Sequence, residues 1–189
     1  MLRDNVHAFV AAELVAVRYL ALDYTRIDMA PDHRGPRAIT DPIEWVAPDW
    51  THILGDGVDY GVELDLSSGR TLAISWEPPG NHESLDLFAG KLIGSVLDDE
   101  PDVAVWEVTT RSRWSHLVGN AITAIDLHYV PWAPNDGYWC TRVTLEFGPT
   151  NVVLLLGDFT DEGDLAPSAN NVAVLFSPAS LPEWELRLA

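Results

Sequence analysis

A strict alternation of apolar and polar residues between positions 58 and 66 constrains the fold more than any other feature of the sequence. Acids and one glycine separate five apolar residues, in the order Val58, Asp59, Tyr60, Gly61, Val62, Glu63, Leu64, Asp65 and Leu66. Successive side chains of a strand point to opposite faces, so this pattern predicts a strand with one buried face. Turn residues follow at positions 67–69 and the alternation resumes at Leu72, which predicts a β-hairpin over residues 58–77.

Further short apolar segments predict additional strands, at Val103–Val108, Ile122–Val130, Tyr138–Phe147, Asn151–Leu156 and Val172–Phe176. The runs Val152–Leu156 and Val172–Phe176 do not alternate, which is typical of central strands covered on both faces. Residues 85–97 fit neither period.

The N-terminal segment has a different period. Its apolar residues recur at steps of three and four, which predicts a helix from Asp4 to about Tyr24: Val6, Phe9, Val10, Leu14, Val17, Leu20 and Ala21. Four prolines then fall within residues 27–48, so we expect an irregular connector there.

One short segment occurs twice. Trp50-Thr51-His52-Ile53-Leu54-Gly55-Asp56 recurs 64 residues later as Trp114-Ser115-His116-Leu117-Val118-Gly119-Asn120. The strands that follow each copy also align, now at an offset of 81, so the second copy has gained 17 residues. A long-period repeat of this kind predicts two copies of one β unit that bury their faces against each other.

The predicted fold is therefore α+β and mostly β, with one N-terminal helix followed by two related antiparallel β units in one core. We expect the helix and the proline-rich connector over residues 1–48, the first unit over 49–100, and the second over 101–189. The whole chain is expected to form one globular domain.

The repeated Trp-x-His pair invites a functional interpretation, because histidine is a common general base and metal ligand. No third ligand or ligand spacing accompanies His52 or His116. We therefore interpret Trp50, His52 and Gly55, and their counterparts Trp114, His116 and Gly119, as structural, each glycine allowing a positive φ before the next strand.

The residues added in the second copy include a loop over 131–139 with aromatic side chains between two prolines. Loops on a rigid scaffold often carry binding residues, so Trp132, Asp136, Tyr138 and Trp139 are candidate partner contacts. The alternative is that both tryptophans cover the core as a lid.

Two acidic segments are candidates for charge-based contacts. Asp98, Asp99, Glu100 and Asp102 form either a solvated connector or a docking patch for a basic protein. Asp158, Asp161, Glu162 and Asp164 weakly resemble a calcium loop, but their spacing does not match an EF-hand, and a solvated acidic turn is the simpler interpretation. We expect no metal site and no cofactor.

The charge balance excludes two classes of partner. Acids number 29 against 11 basic residues, and the net charge is −18. Such a surface repels phosphate, so neither nucleic acid nor an anionic membrane is an expected partner. Cys140 is the only cysteine and no apolar run is long enough to span a membrane, which favours a cytoplasmic protein.

No motif forms a catalytic constellation, so we expect a protein that is not an enzyme. In its size, its acidity and its tryptophan-rich doubled β unit, the chain resembles the immunity proteins of bacterial polymorphic toxins. That resemblance implies an inhibitor that neutralises a basic protein toxin by direct binding, although it assigns no site residue. The alternatives are a ligand- or carbohydrate-binding β module, for which tryptophans serve as stacking platforms, and an enzyme of unrecognised type.

Overall fold

The computed structural model describes residues 6–25, 35–76, 84–97, 102–132, 137–178 and residue 181, which form a mostly β structure of two sheets. The first sheet has the strand order β2-β7-β1-β4-β5-β6. Its strands are β1 (Leu14–Leu22), β2 (Arg37–Ala38), β4 (Gly61–Leu66), β5 (Thr71–Trp76), β6 (Leu85–Ala89) and β7 (Val103–Glu107).

The second sheet has the strand order β3-β11-β10-β9-β8. Its strands are β3 (Asp56–Val58), β8 (Ala124–Trp132), β9 (Gly137–Phe147), β10 (Thr150–Phe159) and β11 (Leu165–Phe176). Helical structure within the described residues is limited to 3₁₀ turns at Val6–Ala8 and Glu44–Val46 and one short helix, α1 (Ser112–Ser115). None of these is long enough to cross a bilayer.

The two sheets pack their inner faces into one core. Alternate residues of β4 and β5, including Val62 and Ile74, lie in the same buried cluster as Val143 of β9 and Leu154 of β10. The predicted double coverage of the central strands is confirmed for β10 and β11, because the intervening residues Val153, Leu155, Ala173 and Leu175 form a second cluster on the outer face.

The predicted hairpin is confirmed as β4 and β5, in which Leu64 pairs with Leu72 across the turn. Its predicted start is displaced, because Val58 belongs to β3 and pairs with Val172 in the other sheet. The chain changes sheets at positions 59–60 and resumes at Gly61, whose φ of +146° favours glycine. Val58 and Val62 face the shared core from opposite sheets, whereas Tyr60 between them packs against a separate cluster.

The predicted N-terminal helix is wrong, because its second half, Leu14–Leu22, forms β1, flanked by strands β7 and β4. A bulge between Leu14 and Ala16 shifts the alternation by one residue. Leu14 and Val17 therefore both face the core although they are three positions apart, which reproduces a helical spacing. The proline-rich connector is irregular where it is described, apart from β2 and one 3₁₀ turn.

The predicted repeat is not one structural unit. Trp50 lies in a turn before β3, whereas Trp114 lies in α1. Gly119 has the predicted positive φ of +82°, but Gly55 does not, and it is constrained because a Cβ there would overlap the carbonyl oxygen of Val174.

The two aligned hairpins lie in different sheets and differ in register. Asp65 pairs with Thr71, so an offset of 81 would pair Glu146 with Val152, yet Glu146 pairs with Asn151. A shift of one residue exchanges the faces of a strand. Core residues Leu72 and Ile74 are therefore aligned with Val153 and Leu155, which face the outer cluster.

Aromatic rings connect the two sheets through the core. Tyr19 of β1 makes edge-to-face contacts with Trp50 and Trp114, with ring centroids 5.1 and 6.4 Å apart. These ring contacts extend from Trp50 to Trp106 of β7 and from Trp114 to Phe176 of β11. Such pairs add about 0.5–1.5 kcal/mol each beyond the area that they bury.

A buried polar chain runs through the same rings. The indole N–H of Trp114 donates to the Tyr19 hydroxyl at 2.6 Å, and that hydroxyl donates to Asp56 Oδ2 at 2.8 Å. The Arg113 guanidinium donates to Asp56 Oδ1. Asp56 is 3% exposed and Tyr19 is fully buried, so each group depends on the others to satisfy its hydrogen bonds.

We predict that Tyr19→Phe destabilises the protein by about 2 kcal/mol or more, because it leaves the Trp114 indole N–H without its acceptor and Asp56 Oδ2 without its donor. Denaturant unfolding measures the loss. Tyr138→Phe is the matched control, since Tyr138 is 66% exposed and should change the unfolding free energy little. Equal effects of the two substitutions would contradict the role given to the Tyr19 hydroxyl.

Arg18 lies on the face of the first sheet that points away from the shared core, and it binds two acids there. It binds Asp65 with two hydrogen bonds of 2.7 and 2.8 Å and Glu63 with one of 2.9 Å. The second Glu63 oxygen accepts from the backbone N–H of Leu92 at 2.8 Å. The hydrogen bond from Arg18 holds the pKa of Asp65 below its ordinary value of 3.8. The pair therefore stabilises the fold while Asp65 is ionised.

We predict that Asp65→Asn lowers the unfolding free energy at pH 7 by about 1 kcal/mol, as for a two-point ion pair at a partly exposed position. The difference from the parent should shrink as the pH falls below 3.8, since the parent then protonates Asp65 and loses the same interaction. Urea unfolding over this pH range, with the exposed Asp126→Asn as control, checks the prediction. A difference that is independent of pH would refute it.

Candidate functional site

A cleft of about 440 Å³ opens where the two sheets meet. Its lining comes from four separate parts of the chain, namely the end of β1, the turn and strand around β3, β7, and the end of β10. The cleft lies beside the Tyr19–Asp56–Arg113 network, which holds its loops in place.

Four aspartates line this cleft, Asp49, Asp59, Asp158 and Asp161, and none of the described lysines and arginines does. Elsewhere in the described structure, three arginines are paired with carboxylates. Arg18 and Arg113 bind carboxylates as described above, and Arg37 binds Asp23 at 2.6 Å and Glu44 at 2.7 Å. Basic side chains are thus used to neutralise other acids, while the cleft keeps its negative charge.

Asp59 is the most constrained of these acids. Its oxygens accept from the backbone N–H of Leu22 at 2.7 Å and from the Asn171 side chain at 3.2 Å. Burial, together with the charge of Asp158, raises the pKa of Asp59 in spite of these bonds. A cation beside Asp59 would relieve this unfavourable charge.

The Tyr24 phenol is subject to the same negative potential. It forms part of the cleft rim and is 59% exposed. The charge of Asp59 raises the pKa of the Tyr24 phenol, with smaller contributions from burial, Asp158 and Asp49. The negative field of the cleft therefore reaches solvent, where it can attract a cation.

His52 stacks on Phe159 with ring centroids 4.4 Å apart and planes inclined by 18°. Gly57 lies beneath the two rings, where a Cβ would stand 3.0 Å from Asp158 Oδ1 and 3.2 Å from Phe159. Any side chain at position 57 would therefore displace Asp158 or Phe159. Burial lowers the pKa of His52 and the positive Arg113 lowers it further, while Asp158 opposes them.

Arg113 fixes the loop that carries His52. Its guanidinium donates to the carbonyl oxygens of His52, at 2.5 Å, and of Gly55. The backbone N–H of His52 also donates to the Gly55 carbonyl at 3.0 Å. The loop is thus closed on itself and attached to Asp56 through Arg113, which leaves Ile53 at its tip almost fully exposed.

The inner wall is aromatic and incompletely hydrogen-bonded. Trp50 and Trp106 contribute to it, and each is only 8% exposed. The Trp50 indole N–H and the Thr160 hydroxyl are both buried, and neither has a hydrogen-bond partner among the described residues. Such buried groups normally find partners, so these two atoms mark polar positions that no described residue matches.

The segment predicted as an insertion loop is instead the end of a long hairpin, because β8 and β9 pair Pro131 with Tyr138 and Trp132 with Gly137. Asp136 lies outside the described residues. Tyr138 is exposed, whereas Trp139 packs against the main core. Neither Tyr138 nor Trp139 borders the cleft.

The acidic segment at 98–102 is described only at its last residue. Asp98, Asp99 and Glu100 lie outside the described residues. Asp102 accepts a hydrogen bond from the Tyr60 hydroxyl at 3.1 Å, so it supports the fold locally.

The weak calcium candidate forms the turn between β10 and β11, where the N–H of Gly163 donates to the carbonyl of Thr160. Asp158 and Asp161 border the cleft. No three His, Cys, Asp or Glu side chains among the described residues are grouped closely enough to hold a metal ion. The sequence identified these acids but missed Asp49, Asp59 and Tyr24, because they lie far apart along the chain and share no pattern.

Comparison with protein-family models, with curated proteins and with solved structures finds no match to this chain. The interpretation of the cleft therefore depends on its own geometry and charge.

We predict that His52 titrates below the ordinary histidine pKa of 6.5 and that Asp158→Asn lowers its pKa further, because the carboxylate that favours the imidazolium is lost. NMR titration of the His52 ring protons measures both values. The exposed Asp126→Asn should leave the midpoint unchanged. An increase in the His52 pKa in Asp158→Asn would contradict the predicted sign.

Proposed function

We propose that the protein is a non-enzymatic inhibitor of the immunity-protein type, which neutralises a basic protein toxin in the cytoplasm by direct binding. The observation that carries the proposal is the acidic cleft, whose lining combines four aspartates with aromatic side chains and, among the described residues, contains no lysine or arginine. A basic partner gains from such a surface in both its association rate and its specificity.

Exposed apolar side chains near the cleft support a protein partner rather than a small ligand. Ile43 and Val46 are 78% and 82% exposed, and Ile53 and Leu54 are 95% and 61% exposed. Val46 and Thr51 line a second cleft together with Arg113, which also contacts the Ile53 carbonyl, so both loops lie at this end of the molecule. Apolar anchors beside charged groups are typical of protein interfaces.

The carbohydrate-binding alternative has less support. The six tryptophans whose side chains are described are all buried or half-buried: Trp45, Trp50, Trp76, Trp106, Trp114 and Trp139. Several of them pack edge to face against one another in the core, which hides the ring faces on which a sugar would stack.

We predict that the double variant Asp158→Asn, Asp161→Asn binds its protein partner at least about tenfold more weakly than the parent, because two charges of the cleft are lost. Partners captured from native cells are identified first, and affinity is then measured with the purified partner at several salt concentrations. The partner should be basic, and added salt should weaken its binding to the parent.

The matched control is Asp126→Asn, Glu146→Gln, which removes the same charge from exposed positions on β8 and β9. This control should retain the parent's affinity. A captured partner that is acidic, or that binds the cleft variant and the control equally well, would refute the proposal.

A further inference from the structure

The hydrogen-bond acceptors of the cleft are distributed around it. Asp158 Oδ1 accepts from the backbone N–H of Phe159 at 2.8 Å, and its other oxygen has no partner among the described residues. Each oxygen of Asp59 accepts one bond and can accept a second. With the unpartnered Thr160 hydroxyl, these acceptors suit a cation with several donors rather than a single point charge.

The shapes of the two candidate cations discriminate in the same direction. A guanidinium is planar, weakly hydrated and presents five donors in a rigid fork, whereas an ammonium is compact and strongly hydrated. Outside the cleft, one guanidinium already lies against the neighbouring tryptophans, because Arg111 is 3.7 Å from the ring centroid of Trp45. Trp45 contacts both Trp50 and Trp106 of the cleft wall.

The unpartnered indole N–H of Trp50 adds an independent requirement. Trp50 is 8% exposed, and its N–H is a donor, which no cationic group can satisfy. A peptide carbonyl can. The cleft therefore matches a group that presents donors at one end and a carbonyl acceptor at the other.

We propose that the cleft binds a single arginine side chain of the protein partner, with the guanidinium between Asp59 and Asp158 and a backbone carbonyl of the partner at the Trp50 indole. The cleft volume of about 440 Å³ lies within the ordinary range for such a ligand. Because the Trp50 N–H is covered in the free protein, the wall must rearrange slightly when the carbonyl binds. This inference rests on the proposed function and names the group that the same site recognises.

The test uses three small probes and the full chain. N-acetyl-arginine amide is the ligand, N-acetyl-lysine amide carries the same charge on an ammonium, and N-acetyl-citrulline amide has the shape of arginine without its charge. Indole N–H resonances in ¹H–¹⁵N spectra, assigned through bonds, report the site. The arginine probe should shift the Trp50 resonance in a saturable manner. Its affinity should be at least about fivefold higher than that of the lysine probe and about tenfold or more higher than that of the citrulline probe.

Asp158→Asn keeps the side-chain oxygen that accepts the hydrogen bond from the Phe159 backbone N–H. It should lower the affinity for the arginine probe by about tenfold, whereas Asp126→Asn should leave that affinity unchanged. Equal or tighter binding of lysine would overturn the guanidinium assignment. The guanidinium assignment is also overturned if no probe shifts the Trp50 resonance while the double variant Asp158→Asn, Asp161→Asn still binds the protein partner more weakly than the parent. That result leaves the proposed function standing. If the double variant binds both the arginine probe and the protein partner as tightly as the parent, both proposals are wrong.

Discussion

Asp56 is a carboxylate buried where the two sheets meet, and the rest of the structure is arranged to keep it satisfied. It begins β3 in the second sheet, accepts from Tyr19 of the first, and is paired with Arg113 of α1. A buried charge without partners costs several kcal/mol, so removing any partner would penalise the fold directly. The same contacts determine how the sheets meet, because Trp114 and Trp50 pack on the ring of Tyr19.

That arrangement also shapes the cleft. Arg113 holds the carbonyl groups of the loop that presents His52, and this loop forms one wall above Gly57. Because Arg113 neutralises Asp56 and not the acids of the cleft, Asp59 and Asp158 have no basic side chain beside them in the part of the chain that the structure describes. The negative charge of the site thus follows from how the few arginines are used, and not only from the excess of acids in the sequence.

The sequence predicted where several strands lie along the chain far better than how those strands are arranged in the fold. The hairpin of β4 and β5 and the doubly covered strands β10 and β11 could be identified, because alternation and its absence reflect local burial. The first strand was mistaken for a helix, since a bulge at Leu14 gave its core residues a spacing of three. The apparent repeat misled in a similar way, because similar residues at Trp50 and Trp114 adopt a turn in one case and a helix in the other.

By itself, the sequence determined the β class of the protein, its strong negative charge and the strands that would be buried on both faces, because these depend on composition and on neighbouring residues. Tertiary structure alone decided which sheet each strand joined, and it brought Tyr24, Asp59 and Asp158 to one cleft from distant parts of the chain. It also decided which acids are neutralised by arginine and which are not. Charge within a site depends on distances through space, and no local pattern of residues records those distances.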